Sequence, residues 1–214
     1  MRGDEFEYSR NMIAWLEPAY VAADERGDVF GGSGFTGDMA RWEARRRVIA
    51  DAFDHDGVWL DVGCANGLLM ATLTRWVAEK GHTIEPYGLE LSPRIAERAR
   101  VRYPQSSDRI WTGNVMTFQP PIRFDYVTIL MDAAAPDRCI DMIEHVMQSY
   151  LKPGARLILS SYGPGALITP YKAPASDPRP DLEEAGLTIA GYREIIEPET
   201  ERIKVRVAWA DLAA

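Results

Sequence analysis

From Val58 to Tyr162 the chain alternates short, nearly continuous apolar runs with stretches of helical period. The runs VWLDV (58–62), YGLEL (87–91), RIWTG (109–113), FDYVTILM (124–131) and ARLILSSY (155–162) have the pattern of strands. Between them LLMATLTRWVAEK (68–80), SPRIAERARVRY (92–103) and APDRCIDMIEHVMQSYL (135–151) have the pattern of helices, the second capped by Ser92 and opened by Pro93. Strands that are apolar on both faces and alternate with helices call for a parallel sheet covered on two sides. DLEEAG is a short helix with a glycine end, and LTIAGYREIIE (187–197) with ERIKVRVAWADL (201–212) is a terminal hairpin around a PET turn.

Ahead of this core, residues 4–23 place Phe6, Met12, Ile13, Trp15, Leu16 and Tyr20 at helical spacing, with Pro18 expected to bend or end the helix. A glycine-rich stretch follows, with Phe30 and Phe35 flanking GGSG. Residues 38–53 then form a second helix, capped by Asp38 and apolar along Trp42, Val48, Ile49, Ala52 and Phe53. The chain is expected to be one structural domain, with residues 1–54 a helical or lid segment packed on a core of residues 55–214.

The net charge of −8 makes nucleic acid a disfavoured partner, since such a surface repels phosphate backbones. RARVR (98–102) is the most basic short run and has the character of a solvated helix end. No apolar stretch approaches the ~20 residues of a membrane helix. MRGDEFEYSR lacks the basic start and apolar run of an export signal. The two cysteines, Cys64 and Cys139, are widely separated and suit a reducing, cytoplasmic setting. The three histidines, at positions 55, 82 and 145, are scattered, so no metal site is expected; His55, in the DHDG turn, belongs to the far end of the sheet.

Ligands of an open parallel sheet sit beyond the carboxyl ends of its strands. After the first strand, Asp61 is followed by the turn Gly63, Cys64, Ala65, Asn66, Gly67 and a helix whose first amides face the same space. After the second comes Glu90, an acid able to hold both hydroxyls of a ribose. After the third, Asn114 can meet an adenine edge, and after the fourth, Met131 and Asp132 stand over the presumed reaction centre. A dinucleotide turn needs G-x-G-x-x-G, whereas here Ala65 replaces the middle glycine and Asp61 opposes a pyrophosphate but suits an ammonium. S-adenosylmethionine, with an amino-acid tail, a sulfonium, a ribose and an adenine, matches every loop.

LDVGCANGLLM, YGLELSP, GNVMTF, FDYVTIL and LKPGARLILSSYG together resemble the class I S-adenosylmethionine-dependent methyltransferase family. The resemblance runs from about Val58 to Tyr162, and the terminal hairpin fits the family's last two strands. It implies a Rossmann-like, doubly wound seven-stranded sheet of order 3-2-1-4-5-7-6 with strand 7 antiparallel. It also implies that Asp61, Gly63, Cys64, Ala65 and Gly67 hold the methionine end, Glu90 the ribose, and Leu91, Asn114 and Val115 the adenine. S-adenosylhomocysteine would be the product. The chain lacks a proline-aromatic signature after the fourth strand, which with the net charge points to a small-molecule acceptor at O, N or C.

Methyl transfer requires in-line positioning and, for a hydroxyl acceptor, a base; Asp132 and Tyr162 are the candidates. Phe30 and Phe35 are candidates to exclude water, Arg41 or Trp42 to approach the methionine carboxylate, and Tyr171, in the proline-rich connection 163–180, to contact substrate. The alternatives are a protein or RNA methyltransferase, favoured by a basic face around Arg94, Arg98, Arg100 and Arg102, a nicotinamide-dependent oxidoreductase, and a non-catalytic S-adenosylmethionine-binding module.

Overall fold

The computed structural model describes residues 4–163, 176–197 and 202–213. Among these, seven strands make one sheet: β1 Gly57–Val62, β2 Ile84–Glu90, β3 Ile110–Thr112, β4 Phe124–Leu130, β5 Leu151–Tyr162, β6 Ile189–Glu197 and β7 Arg202–Asp211. The order is β3-β2-β1-β4-β5-β7-β6. β7 is antiparallel to both its neighbours, and the other pairs are parallel. This is the expected doubly wound topology. β7 carries the buried run Val205, Val207, Ala208, Trp209 and Ala210, whereas β6 is only partly buried, which is why the last strand in sequence lies inside and β6 forms the edge.

Alternate residues of the central strands feed two cores. Trp59 and Tyr126 pack with α3 (Leu68–Ala78) on one side, and Leu60 and Val127 pack with α5 (Cys139–Ser149) on the other. The Trp59 indole also donates to Thr128 Oγ1 at 3.0 Å, which ties β1 to β4 inside the first core.

Three features differ from the expectations. The first helix, α1 (Glu5–Glu25), continues through Pro18 and does not end there. The missing amide there is tolerated because Leu16, Ala19, Tyr20 and Val21 pack against Ala65 and Ile95. Phe6 and Trp15 face outward, and Tyr8 takes a buried place in the stripe instead. The expected helix over 38–53 is α2 (Met39–Arg46), capped by Asp38, followed by a 3-10 segment, Arg47–Ala52. A period of three keeps Ile49 and Ala52 on one inward face. β5 begins four residues early, at Leu151, because Leu151 pairs with Phe124 ahead of a bulge. The PET turn and Tyr171 lie outside the described residues.

The remaining helices are α4 (Pro93–Arg102), which Ser92 caps as expected, and α6 (Arg179–Glu184). α4 presents Arg94, Arg98 and Arg102 to α1, where they pair with Glu17 at 3.1 Å, Glu25 and Asp24 respectively. Arg100 donates instead to Ile110 O and Thr112 Oγ1. The arginines that a basic face for protein or RNA would need are therefore engaged by acids, a carbonyl and a hydroxyl of the chain itself.

Trp59 is fully buried. Trp59→Ala is expected to lower stability by about 3–5 kcal/mol in urea unfolding monitored by circular dichroism; a loss below about 1 kcal/mol would show that this core is not the keystone of the sheet.

Candidate functional site

Asp61 is the penultimate residue of β1 and lies inside the sheet, 4% exposed. Its Oδ1 accepts from Thr128 Oγ1 at 2.9 Å, while Oδ2 is buried with no hydrogen-bond partner among the described residues. Burial pushes its pKa up to about 7; the Thr128 bond opposes this and the neighbouring Glu90 adds to it. Gly63 follows at φ 77°, with open space where a Cβ would stand. Its amide and that of Cys64 donate to Leu89 O at 2.7 and 3.3 Å, locking the turn to β2. Ala65 has φ 48°, the left-handed conformation a glycine usually supplies, and its methyl packs against Tyr20, Val21 and Ile95. Gly67, at φ 81°, starts α3; a Cβ there would strike the Tyr103 ring at 2.7 Å.

Glu90, at the end of β2, faces this turn. Its Oε2 accepts from Ala65 N at 3.0 Å and its Oε1 from Ser92 N at 2.9 Å. Burial raises its pKa, and these amides pull it back. On the β3 loop, Asn114 Oδ1 accepts from Met116 N at 2.8 Å, and its Nδ2 donates to Ser9 Oγ at 2.7 Å. The residue expected to meet an adenine thus also anchors α1. The second lone pair of Oδ1 leaves room for one more donor.

α1 crosses the carboxyl ends of the strands. The Tyr8 hydroxyl donates to Asp132 O at 2.8 Å, and Glu5 Oε2 accepts from Ala135 N at 3.3 Å. Asn66, wholly buried, reaches from the β1 turn to Asp24 Oδ1 and Val29 O at 3.2 and 2.9 Å. Under α1 lies a cleft lined by Asp61, Gly63, Cys64, Ala65, Glu90, Leu91, Asn114, Val115, Asp132, Tyr162 and Trp42, eleven residues singled out from the sequence. Gly67, Phe30 and Phe35 stand behind its walls.

Two groups of residues escaped the sequence reading. Arg41 is exposed, and Arg46 enters the cleft in its place. The Arg46 guanidinium lies 3.6 Å from the Tyr162 ring centroid, 5.1 Å from that of Trp42 and 5.2 Å from that of Phe35. Its Nη1 is buried with no hydrogen-bond partner among the described residues. Arg46 was hidden in the run ARRR, although its spacing of four from Trp42 was a usable signal. Tyr8 and Tyr20 were the other omission, since a stripe on an amphipathic helix carries no mark of what it covers. Glycines 31 and 32 with Ser33 form a 3-10 turn, held by Asp28, which brings Ser33 to the cleft and seats Phe30 and Phe35 against Trp42. His55 lies at the opposite end of the strands, 2.6 Å from the Tyr126 hydroxyl.

No family model and no curated protein sequence matches the chain. Solved structures do match it in fold. The N-methyltransferase NodS from Bradyrhizobium japonicum WM9, in complex with S-adenosylhomocysteine, is 14% identical at a TM-score of 0.69, over 95% of this chain and 100% of that one. The 1,6-didemethyltoxoflavin-N1-methyltransferase of Burkholderia thailandensis, with 1,6-didemethyltoxoflavin and S-adenosylhomocysteine bound, is 15% identical at a TM-score of 0.65, over 100% and 92%. The [4+2]-cyclase SpnF is 17% identical at 0.62, over 95% and 94%. The fold is that of the class I S-adenosylmethionine-dependent methyltransferases.

Because the folded pKa of Asp61 is raised, the stability it contributes is complete below about pH 4 and is lost as pH rises through about 7. Thermal unfolding of the ligand-free protein is expected to show a falling Tm across that window, and Asp61→Asn to flatten the fall. An unchanged slope in the variant would remove Asp61 as its cause.

Proposed function

We propose that this chain is an S-adenosylmethionine-dependent methyltransferase acting on a small-molecule acceptor. Two buried side chains of opposite charge that line one cleft, Arg46 and Asp61, each with an atom (Nη1, Oδ2) that has no hydrogen-bond partner among the described residues, carry the proposal. Buried charges without partners are expensive, and a zwitterionic amino-acid end satisfies both together. Arg46 would take the methionine carboxylate and Asp61 the ammonium. A dinucleotide has no ammonium for Asp61, and its pyrophosphate would be repelled.

The same cleft supports the rest of the assignment. Gly63 leaves the backbone open to close approach, with Cys64 and Ala65 beside it, and Gly67 directs α3 toward the site. Glu90 would take the ribose hydroxyls, using lone pairs left after its two amide bonds. Leu91 and Val115 would press on the adenine, and Asn114 Oδ1 would accept from its amino group. When bound, this cofactor supplies a methyl group already activated by its sulfonium, so the protein's work is positioning and proton handling. Asp132 is the proton acceptor of the reaction end. Burial raises the Tyr162 hydroxyl pKa, so Tyr162 serves there as a neutral hydrogen-bond donor. α1, with Ser33, Trp42, Arg46 and Ile49 from the segment that follows it, covers the cleft.

A small acceptor fits a cleft roofed by α1 and a surface whose arginines on α4 are already paired. The 1,6-didemethyltoxoflavin-N1-methyltransferase, similar in fold, has the small molecule 1,6-didemethyltoxoflavin bound, which adds support for that acceptor class. Two free, buried cysteines suit a cytoplasmic setting.

Isothermal titration is expected to show S-adenosylhomocysteine binding and no binding of NAD. Glu90→Gln and Arg46→Met are each expected to weaken that binding at least about tenfold, as for a lost charge-assisted bond. Binding of NAD with none of S-adenosylhomocysteine would sink the proposal. Cofactor binding with no transfer of a radiolabelled methyl group would leave a non-catalytic binding module.

A further inference from the structure

We infer that the acceptor is an amine, drawn in as a cation by the carboxylate of Asp132, a conclusion that rests on the cofactor reading above. The titratable side chains lining the cleft among the described residues include three carboxylates, Asp61, Glu90 and Asp132, and one guanidinium, Arg46. Arg46 and Asp61 are committed to the two charges of the amino-acid end. Glu90 is held by two backbone amides and lies at the ribose position. Asp132 is the charge left over.

Its placement is fixed. Asp132 sits in the 3-10 turn Met131–Ala133 immediately after β4, and α1 pins that turn through the Tyr8 hydroxyl on its carbonyl. The Asp132 carboxylate makes no ion pair with any described residue. Among the described residues, the titratable groups that feel its charge are Tyr20 of α1, Tyr162 of β5 and Cys139 of α5, all of them neutral at neutral pH because burial raises the pKa of each. Arg46 is held instead against the rings of Tyr162, Trp42 and Phe35. A partly buried carboxylate lining a cleft, without a counter-charge among the described residues, is unfavourable until a ligand supplies one.

The three common acceptor types differ sharply here. A carboxylate, phosphate or phenolate would enter a cleft already carrying excess negative charge. An aliphatic hydroxyl needs a stronger base than a carboxylate, and neither Tyr20 nor Tyr162 ionises readily. An ammonium is attracted by Asp132, and its proton is within the reach of a carboxylate whose own basicity burial has increased. Tyr8 and Tyr20 add aromatic rings to the lining, side chains of the kind that tolerate a cation.

The step balances as follows. The bound ammonium gives one N–H proton to Asp132, freeing its lone pair. That pair forms the N–CH3 bond as the CH3–S bond breaks, and the bonding electrons stay on sulfur as a neutral thioether. The N-methylammonium leaves as a cation, and Asp132 returns its proton to solvent.

The test uses the full chain saturated with S-adenosylhomocysteine and matched ligand sets on a common skeleton. These are 2-phenylethylamine, 2-phenylethanol and phenylacetate, and then hexylamine, hexanol and hexanoate. Thermal shift is expected to show stabilisation by at least one amine and none by the matching alcohol or acid. Asp132→Asn, with S-adenosylhomocysteine binding retained, is expected to weaken that amine at least about tenfold. The inference is overturned if an alcohol or acid stabilises as well as its amine. It is also overturned if no amine acts, or if the amine effect survives unchanged in Asp132→Asn. If Asp132→Asn does not fold, the wild-type comparison decides alone. Failure of S-adenosylhomocysteine to bind the wild type would instead overturn the cofactor reading together with the inference.

Discussion

The Glu90 carboxylate is the joint on which the site depends. One oxygen holds Ala65 N and the other holds Ser92 N, so a single side chain fastens the loop after β1 to the loop after β2. The bond to Ala65 also secures a backbone conformation that a non-glycine residue adopts at a cost of roughly 1–2 kcal/mol. Gly63 and Cys64 add their amides to Leu89 O, so the turn is anchored at three successive residues. A loop fixed this way presents its open face at Gly63 without having to be ordered by a ligand, which lowers the cost of binding.

The second constraint is α1. It is not an appendage but the roof of the cleft, and most of its polar contacts are with site loops. Ser9 holds Asn114, Tyr8 holds the turn bearing Asp132, and Asp24 holds Asn66 of the β1 turn. Its outer acids meet the arginines of α4, and the pairs at Arg94 and Arg98 are solvent-exposed enough to contribute little to stability individually. Their value is orientation, because they keep a 21-residue helix in register across the strand ends. The buried Arg46 is supported differently, by aromatic faces that neutralise none of its charge and leave Nη1 without a hydrogen-bond partner among the described residues.

The core was legible because its signal is local. Apolar runs such as FDYVTILM can only be central strands of a covered sheet, and β4 is buried almost throughout. The carboxyl-end loops were legible for the same reason, since topology alone gathers Asp61, Glu90, Asn114 and Asp132 at one edge. The helix–3-10 break after Arg46 was not legible, nor was the passage of α1 through Pro18. Both depend on what packs against the segment, and intrinsic propensity is weak beside that packing.

Sequence by itself thus determined the sheet, its order through resemblance, and the set of acids and turns that face a ligand. Only the tertiary structure decided which cation joins them. The run Arg45, Arg46, Arg47 gives each the same local character, and burial against Trp42 and the more distant Phe35 and Tyr162 singles out Arg46, whereas Arg41 stays exposed. It likewise decided that Asn114 braces a helix and that Asp132 has no counter-charge among the described residues. Such facts are properties of neighbours brought together by folding, and no local pattern encodes them.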